Sequence, residues 1–110
     1  MFRIESALIE QIRQLVTIDK LVHEPSRLMI LLFLESLEEI DFLFLLRQTR
    51  LTQGNLSSHL AKLEQAAYVS VKKEFIGKRP HTIISLSAKG AEALDDYRDK
   101  MQYVLLVKVK

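Results

Sequence analysis

The sequence predicts an α+β fold that is mainly α, and three observations predict it. Apolar residues recur at helical spacing through most of residues 3–66. After Ala67 the period changes to a β-branched and aromatic run, then a Gly/Pro turn and a second such run. Helical spacing returns behind Ser87.

The first helix is expected from Arg3 to Ile18. Ile4, Leu8, Ile12, Leu15 and Val16 form its apolar stripe and Ile9 widens it. The second begins at His23-Glu24-Pro25-Ser26, where proline suits the first turn because its missing N–H would be unbonded there anyway. Its unbroken apolar stretch, Leu28 to Leu34, predicts a core helix buried on nearly all sides and ending near Ser36 or Leu37. Glu39-Ile40-Asp41 reads as a small edge strand. Asp41 is a good N-cap for a third helix, Phe42 to Thr49, with Phe42, Leu43, Leu45 and Leu46 on its buried face. Arg47 and Arg50 lie near its C-terminal end, where the helix dipole favours cations.

Thr52 caps a fourth helix, residues 52–66. Leu56, Leu60, Leu63 and Ala67 cluster on one face at 100° per residue, and Asn55, Ser58, Lys62 and Gln65 occupy the opposite one. Tyr68 to Phe75 is a strand, 76–81 the turn, and Thr82 to Leu86 the returning strand, a hairpin whose tip is expected to carry Lys78, Arg79 and His81. Ser87 caps the last helix, expected over 88–107, with Ala91, Leu94, Tyr97, Met101 and Leu105 as its stripe.

Composition narrows the function classes. The 110 residues are 48% hydrophobic and 27% charged, a globular balance for one domain over 1–110. Cysteine is absent, which excludes disulfide scaffolds, thiolate metal sites and cysteine nucleophiles, and fits a reducing compartment. The longest apolar run, Leu28 to Leu34, has seven residues, and a membrane span needs roughly 20. Glu5 and Glu10 interrupt any signal-peptide core. A soluble cytoplasmic protein with no membrane partner is expected.

The net charge of +2 hides an uneven distribution. Residues 1–50 carry six basic and eight acidic side chains. Residues 51–81 carry Lys62, Lys72, Lys73, Lys78 and Arg79 against Glu64 and Glu74. A local basic patch on a near-neutral chain attracts a polyanion without making the whole surface adhesive.

The order of elements is itself informative. Two short helices joined by a tight turn precede a basic hairpin, which describes a winged helix-turn-helix with a two- or three-stranded β wing and flanking N- and C-terminal helices. Short polar side chains on the fourth helix let its backbone approach base edges in a groove about 12 Å wide. The wing tip puts Lys78 and Arg79 where they meet phosphates or reach the minor groove.

Residues 21–90 resemble the small winged-helix transcription regulators of the MarR and ArsR kind. The resemblance rests on His23 to Leu31 as the start of their second helix and on Leu51 to Glu64 as their recognition helix. It rests also on Tyr68-Val69 with Gly77-Lys78-Arg79-Pro80 as their wing, and on Leu86-Ser87-Ala88-Lys89-Gly90 as the start of their last helix. It implies a dimer that binds double-stranded DNA at a pseudo-palindromic operator. Gln53, Asn55, Ser57, Ser58, His59 and Lys62 match positions that face DNA in such proteins, and Lys78 and Arg79 match the wing tip. Thr52, Gly54 and His81 complete the candidate DNA-binding set. The metal sensors among these families use cysteines or an Asp/His set on the last helix. This last helix has Asp95, Asp96 and Asp99 but no histidine, so no metal and no cofactor is expected.

Plainer readings weigh against some of these residues. His59 lies on the flank of its helix, where packing beside the wing competes with a phosphate contact. His81 divides between a wing phosphate contact and simple exposure, and His23 reads as a cap or surface residue. Gly54 lets a phosphate approach free helix N–H groups, or is only a remnant of the turn. The aspartates of the last helix have no companion cleft residue, and there is no Gly-rich phosphate loop, so an enzyme is rejected. A winged helix that serves as a protein-interaction module is the alternative, and it calls for acidic or large apolar residues on the groove face. RNA binding calls for exposed aromatics. The recognition helix has none, and Phe75 is expected in the packed face of the hairpin. The first and last helices carry apolar stripes that the core cannot cover, so a homodimer through residues 3–18 and 91–107 is expected, with packing of the two helices within one chain as the competing account. A small-molecule effector, unidentified from sequence, has room between the helices of such a dimer.

Overall fold

The structure, a computed structural model, describes residues 2–108, with side-chain surroundings given from Glu5 onward. Helix α1 spans Phe2–Arg13, and a 3₁₀ turn, Gln14–Thr17, follows it. Helix α2 is Pro25–Leu37, strand β1 Glu39–Asp41, helix α3 Phe42–Thr49 and helix α4 Gln53–Gln65. Strands β2, Val69–Ile76, and β3, Arg79–Leu86, form the hairpin, and α5 covers Ala88–Leu105. This is the winged helix expected from sequence, with α3 on its predicted bounds. The expected place of Ile4 on the first stripe, and the tail beyond Lys108, lie outside the described residues.

Capping fixes the helix starts. Glu24 caps α2 by accepting from the N–H groups of Ser26 and Arg27, and Pro25 occupies the first turn. Partial burial pushes the Glu24 carboxyl up, but those two N–H donors, with the charges of His59 and Arg27, outweigh it and hold the group below its usual value. Asp41, Thr52 and Ser87 cap α3, α4 and α5 in the same way.

Ile30, Leu31 and Leu34 of α2, Leu45 of α3, and Leu56, Leu60 and Leu63 of α4 meet Ile40, Val69, Ile84, Leu94 and Tyr97 in one core. The sheet order is β1-β3-β2, all antiparallel, with Ile40 opposite Ile84. The segment between the 3₁₀ turn and α2 also enters the core. Ile18 and Val22 are buried there, and Asp19 holds the loop by accepting from the N–H groups of Leu21 and Val22 and from the Tyr68 hydroxyl.

Several packing expectations are corrected. Helix α2 is not buried on nearly all sides, since Leu32 and Leu37 are exposed. Leu43 is exposed too, because an eight-residue helix turns only part of its surface to the core. In α5 it is Val104, not Leu105, that is buried. Ala67 leaves the α4 face altogether. It takes φ 62° just past the helix end, where Tyr68 N–H bonds Leu63 O and Ala67 N–H bonds Glu64 O. That is a Schellman closure with alanine in the position glycine usually fills.

The start of α5 is locked to this closure. Ser87 Oγ donates to Ala67 O at 2.6 Å and accepts from Gly90 N–H at 2.9 Å, and Ser87 N–H bonds Tyr68 O at 3.0 Å. A Cβ on Gly90 would overlap the Tyr68 carbonyl oxygen and come within 2.8 Å of Leu86 Cδ1. Glycine is required by that close approach, not by a special φ.

Candidate nucleic-acid interface

Helix α4 divides into three strips. Leu56, Leu60 and Leu63 are buried and anchor it. Gln53, Ser57, Ala61 and Glu64 line a cleft of about 340 Å³ against Val71 and Thr82 of the hairpin. Asn55, Ser58 and Lys62 recur three and four residues apart, all exposed, and form the outward strip. Thr52 is committed to its cap, accepting from Asn55 N–H at 3.1 Å. Gly54 is exposed in the first turn with nothing within 4 Å of where a Cβ would stand. The candidates thus fall on two adjacent faces, one toward the wing and one toward solvent.

His59 falls on neither. Its side chain is only 19% exposed, and Nδ1 lies 3.3 Å from Arg27 Nη1 and 3.8 Å from Glu24 Oε2. It packs against the start of α2 instead of the wing or the groove face. Arg27 is anchored in turn by donating from Nε to Leu21 O at 2.6 Å. This Glu24–Arg27–His59 group holds α4 to α2 and was not legible from sequence, since His59 lies 32 residues from Arg27 in the chain.

The wing is longer than expected. Its turn is only Gly77 and Lys78, with Ile76 paired to Arg79. Gly77 takes φ 65° at the first central position, where a two-residue hairpin turn demands a positive φ. Pro80 is tolerated inside β3 because β1 pairs only residues 83–85, so at Pro80 the strand has a free edge. His81 is therefore not at the tip. It stands opposite Glu74, and its Nδ1 is 3.0 Å from Asp41 Oδ1, which ties β3 to the cap of α3. Lys78 and Arg79 remain exposed at the tip.

The electrostatics follow from what is paired. Among the described residues, Lys62, Lys72, Lys73, Lys78 and Arg79 make no ion pair. An α4 face of short polar groups beside a hairpin of unpaired cations suits a polyanion that also offers hydrogen-bonding edges. The winged helix DNA-binding domain family matches residues 26–105.

The chain belongs to that family.

This winged-helix DNA-binding protein is 40% identical, over 78 residues, to an uncharacterized protein of Methanocaldococcus jannaschii, a match covering 71% of this chain and 85% of that one. Its structure is similar to a transcriptional regulator homologue of Pyrococcus horikoshii OT3, with TM-score 0.76, 26% identity, and 90% and 94% of the two chains covered. A MarR family transcriptional regulator of Streptomyces coelicolor, solved in complex with DNA, shares the fold at TM-score 0.60 and 19% identity, over 99% of this chain and 71% of that one.

Two features of the winged-helix protein escaped the sequence reading. Phe75 is 76% exposed and Ile76 57% exposed, where a packed hairpin face was expected for Phe75, because the hairpin extends beyond the core that would cover it. An apolar groove of about 560 Å³ also opens between α2 and α5, lined by Leu28, Leu32, Leu94, Met101 and Leu105 among others. Among the described residues no three His, Asp or Glu gather as a metal site, and no helix is long and apolar enough to cross a membrane.

Proposed function

We propose that this protein is a cytoplasmic, non-catalytic transcriptional regulator that binds a pseudo-palindromic operator as a homodimer. Residues 21–90 form the reading unit. Helix α4 enters the major groove with Asn55, Ser58 and Lys62 toward base edges. Gln53 and Ser57 lie on its wing side, and Gly54 leaves the first turn open to a phosphate. Lys78 and Arg79 contact the backbone or the minor groove. The observation that carries this reading is the exposed polar strip of α4 beside five cations that make no ion pair among the described residues. His59 and His81 serve as supports for α4 and β3.

The dimer reading rests on exposed apolar surface at the far end. Ile9, Ile12, Leu15 and Val16 are exposed along α1 and its 3₁₀ extension, as are Tyr103, Leu105 and Leu106 at the end of α5. Gln11 Nε2 donates to Tyr103 O at 2.6 Å, so the two surfaces are continuous. A dimer there sets two recognition helices about 34 Å apart, one turn of DNA. The groove between α2 and α5 is the natural place for a small apolar effector.

The test is selection from a random duplex library, followed by fluorescence anisotropy across a salt series. The expected result is a palindromic site, a salt slope that falls by about 2 in the Lys78→Ala/Arg79→Ala double mutant, and relaxed base choice in Lys62→Ala. A protein that selects no duplex at low salt is an interaction module instead.

A further inference from the structure

Strands β2 and β3 pair without a break from Val69 and Leu86 to Ile76 and Arg79. Residues two apart share a face of the sheet. One face therefore carries Val71 with Ile84, then Lys73 with Thr82, then Phe75 with Pro80. Val71 and Thr82 line the cleft against α4, so this is the face turned toward the recognition helix. At Ile84 it is buried, and at Phe75 it is bare. Four residues at about 3.3 Å each carry Phe75 roughly 13 Å beyond Val71.

A single exposed apolar residue needs no explanation in general. This ring differs in its surroundings. It stands across from Pro80, whose fixed φ stiffens the opposing strand. Lys73 shares its face, Lys78 and Arg79 stand at the adjoining turn, Lys72 lies on the opposite face, and Glu74 is the one acid of residues 69–86. A cation beside the ring and two at the turn beyond it favour a polyanion over an apolar protein surface as the occupant. Duplex DNA offers, beside the major groove that α4 would fill, a minor groove about 6 Å wide into which an apolar side chain can be driven between base steps.

We propose that Phe75, backed by Pro80, is a wedge that partly unstacks one base step in the minor groove next to the α4 site, while the cations beside it and at the turn hold the flanking phosphates. The inference rests on the DNA-binding reading above. Insertion of this kind kinks the duplex by about 20–90° and is easiest at a pyrimidine–purine step. The operator therefore carries a TA or CA/TG step under each wing, selected by deformability and not by hydrogen bonding.

The experiment uses the full chain and the duplex that it selects from a random library, with fluorophores at the two ends to report bending by energy transfer. Phe75→Ala is expected to reduce the bend by at least about 20° and the affinity roughly tenfold, with the salt slope unchanged because no cation is lost. Phe75→Leu, still an apolar wedge, keeps most of both. Replacing the flexible step with a stiff A-tract weakens the wild type but not Phe75→Ala. Phe75 is exposed, so equal melting temperatures for the variants check that the fold is intact. A wild type that binds its duplex, with Phe75→Ala bending and binding it equally well, overturns the wedge alone and assigns the ring to a protein contact. A wild type that selects no duplex overturns the DNA-binding reading, and the wedge with it.

Discussion

Among the described residues, the cations on α4 and the wing make no ion pair, whereas those in the middle of α5 are matched to acids. Arg98 lies 2.8 Å from Glu35 and 2.9 Å from Asp95, and Lys100 lies 3.4 Å from Asp96. Hydrogen bonding to Glu35, with the charge of that carboxylate, holds the Arg98 guanidinium above its usual value. The contrast in apolar surface runs the other way. Apart from Phe75 and Ile76 on the wing, the exposed large apolar side chains lie on α1 and its 3₁₀ extension, on α2 and α3, and at the end of α5. A surface with unmatched charge is prepared for a partner with charge of its own. A surface with matched charge and bare hydrocarbon is prepared for one that excludes water. The chain is elongated, 68 Å long and 25 Å by 21 Å across.

The largest effect should come from attacking the apolar end. Ile12→Glu with Leu106→Glu puts carboxylates into the proposed dimer surface. Light scattering should then show a monomer, and operator affinity should fall on the order of a hundredfold because the two half-sites no longer bind as one. A dimer that survives both changes would make the terminal helices a matter of packing within one chain.

Next is the junction between the two regions. Gly90→Ala forces a methyl group onto the Tyr68 carbonyl and should destabilise the fold by about 3 kcal/mol, read as a fall in Tm of about 10 °C or more. An unchanged Tm would mean that α5 is free to slide on the hairpin.

The Tyr68 hydroxyl offers a smaller and more specific probe. Its hydrogen bond to Asp19, its burial and the charge of that carboxylate together push its pKa up to about 12. A raised folded pKa contributes stability that is present below the unfolded value of about 10 and is lost as pH rises toward 12. Spectroscopic titration should show the Tyr68 hydroxyl ionising late, and Asp19→Asn should bring its ionisation to lower pH. Tyr68→Phe should cost about 1 kcal/mol at neutral pH, and the wild type's advantage should be lost as pH rises toward 12.

Smallest, and opposite in sign, is Ala67→Gly. It relieves the left-handed strain at the α4 end, against a smaller entropic cost of glycine in the unfolded chain, and should stabilise the protein by about 0.5 kcal/mol in denaturant unfolding.

Local chemistry explains what could be read from sequence. Asp41, Thr52 and Ser87 announce helix starts because capping needs only a side chain and the next few N–H groups. The buried leucines of α4 follow from periodicity alone. The misreadings share one cause, which is that the deciding partner is distant in the chain. His59 is claimed by Arg27 and Glu24, and His81 by Asp41. Phe75 was expected in the packed face of the hairpin because the sequence does not show that the core ends before reaching it. Gly90 gave no local signal, since its need for a hydrogen atom arises from the backbone of Tyr68, 22 positions earlier.

The Ser87 clamp makes a lever of the last helix. Because the first turn of α5 is bonded to the residues that close α4, rotation of one is rotation of the other. In a two-fold assembly held at the far ends of two such helices, a tilt of about 7° acting over the 18 residues of α5, an arm of about 27 Å, displaces the tip by about 3.3 Å, close to the rise of one base pair. A molecule that shifts the terminal helices by so small an angle would put the two recognition helices out of step with the turn of the duplex, without disturbing a residue that touches it.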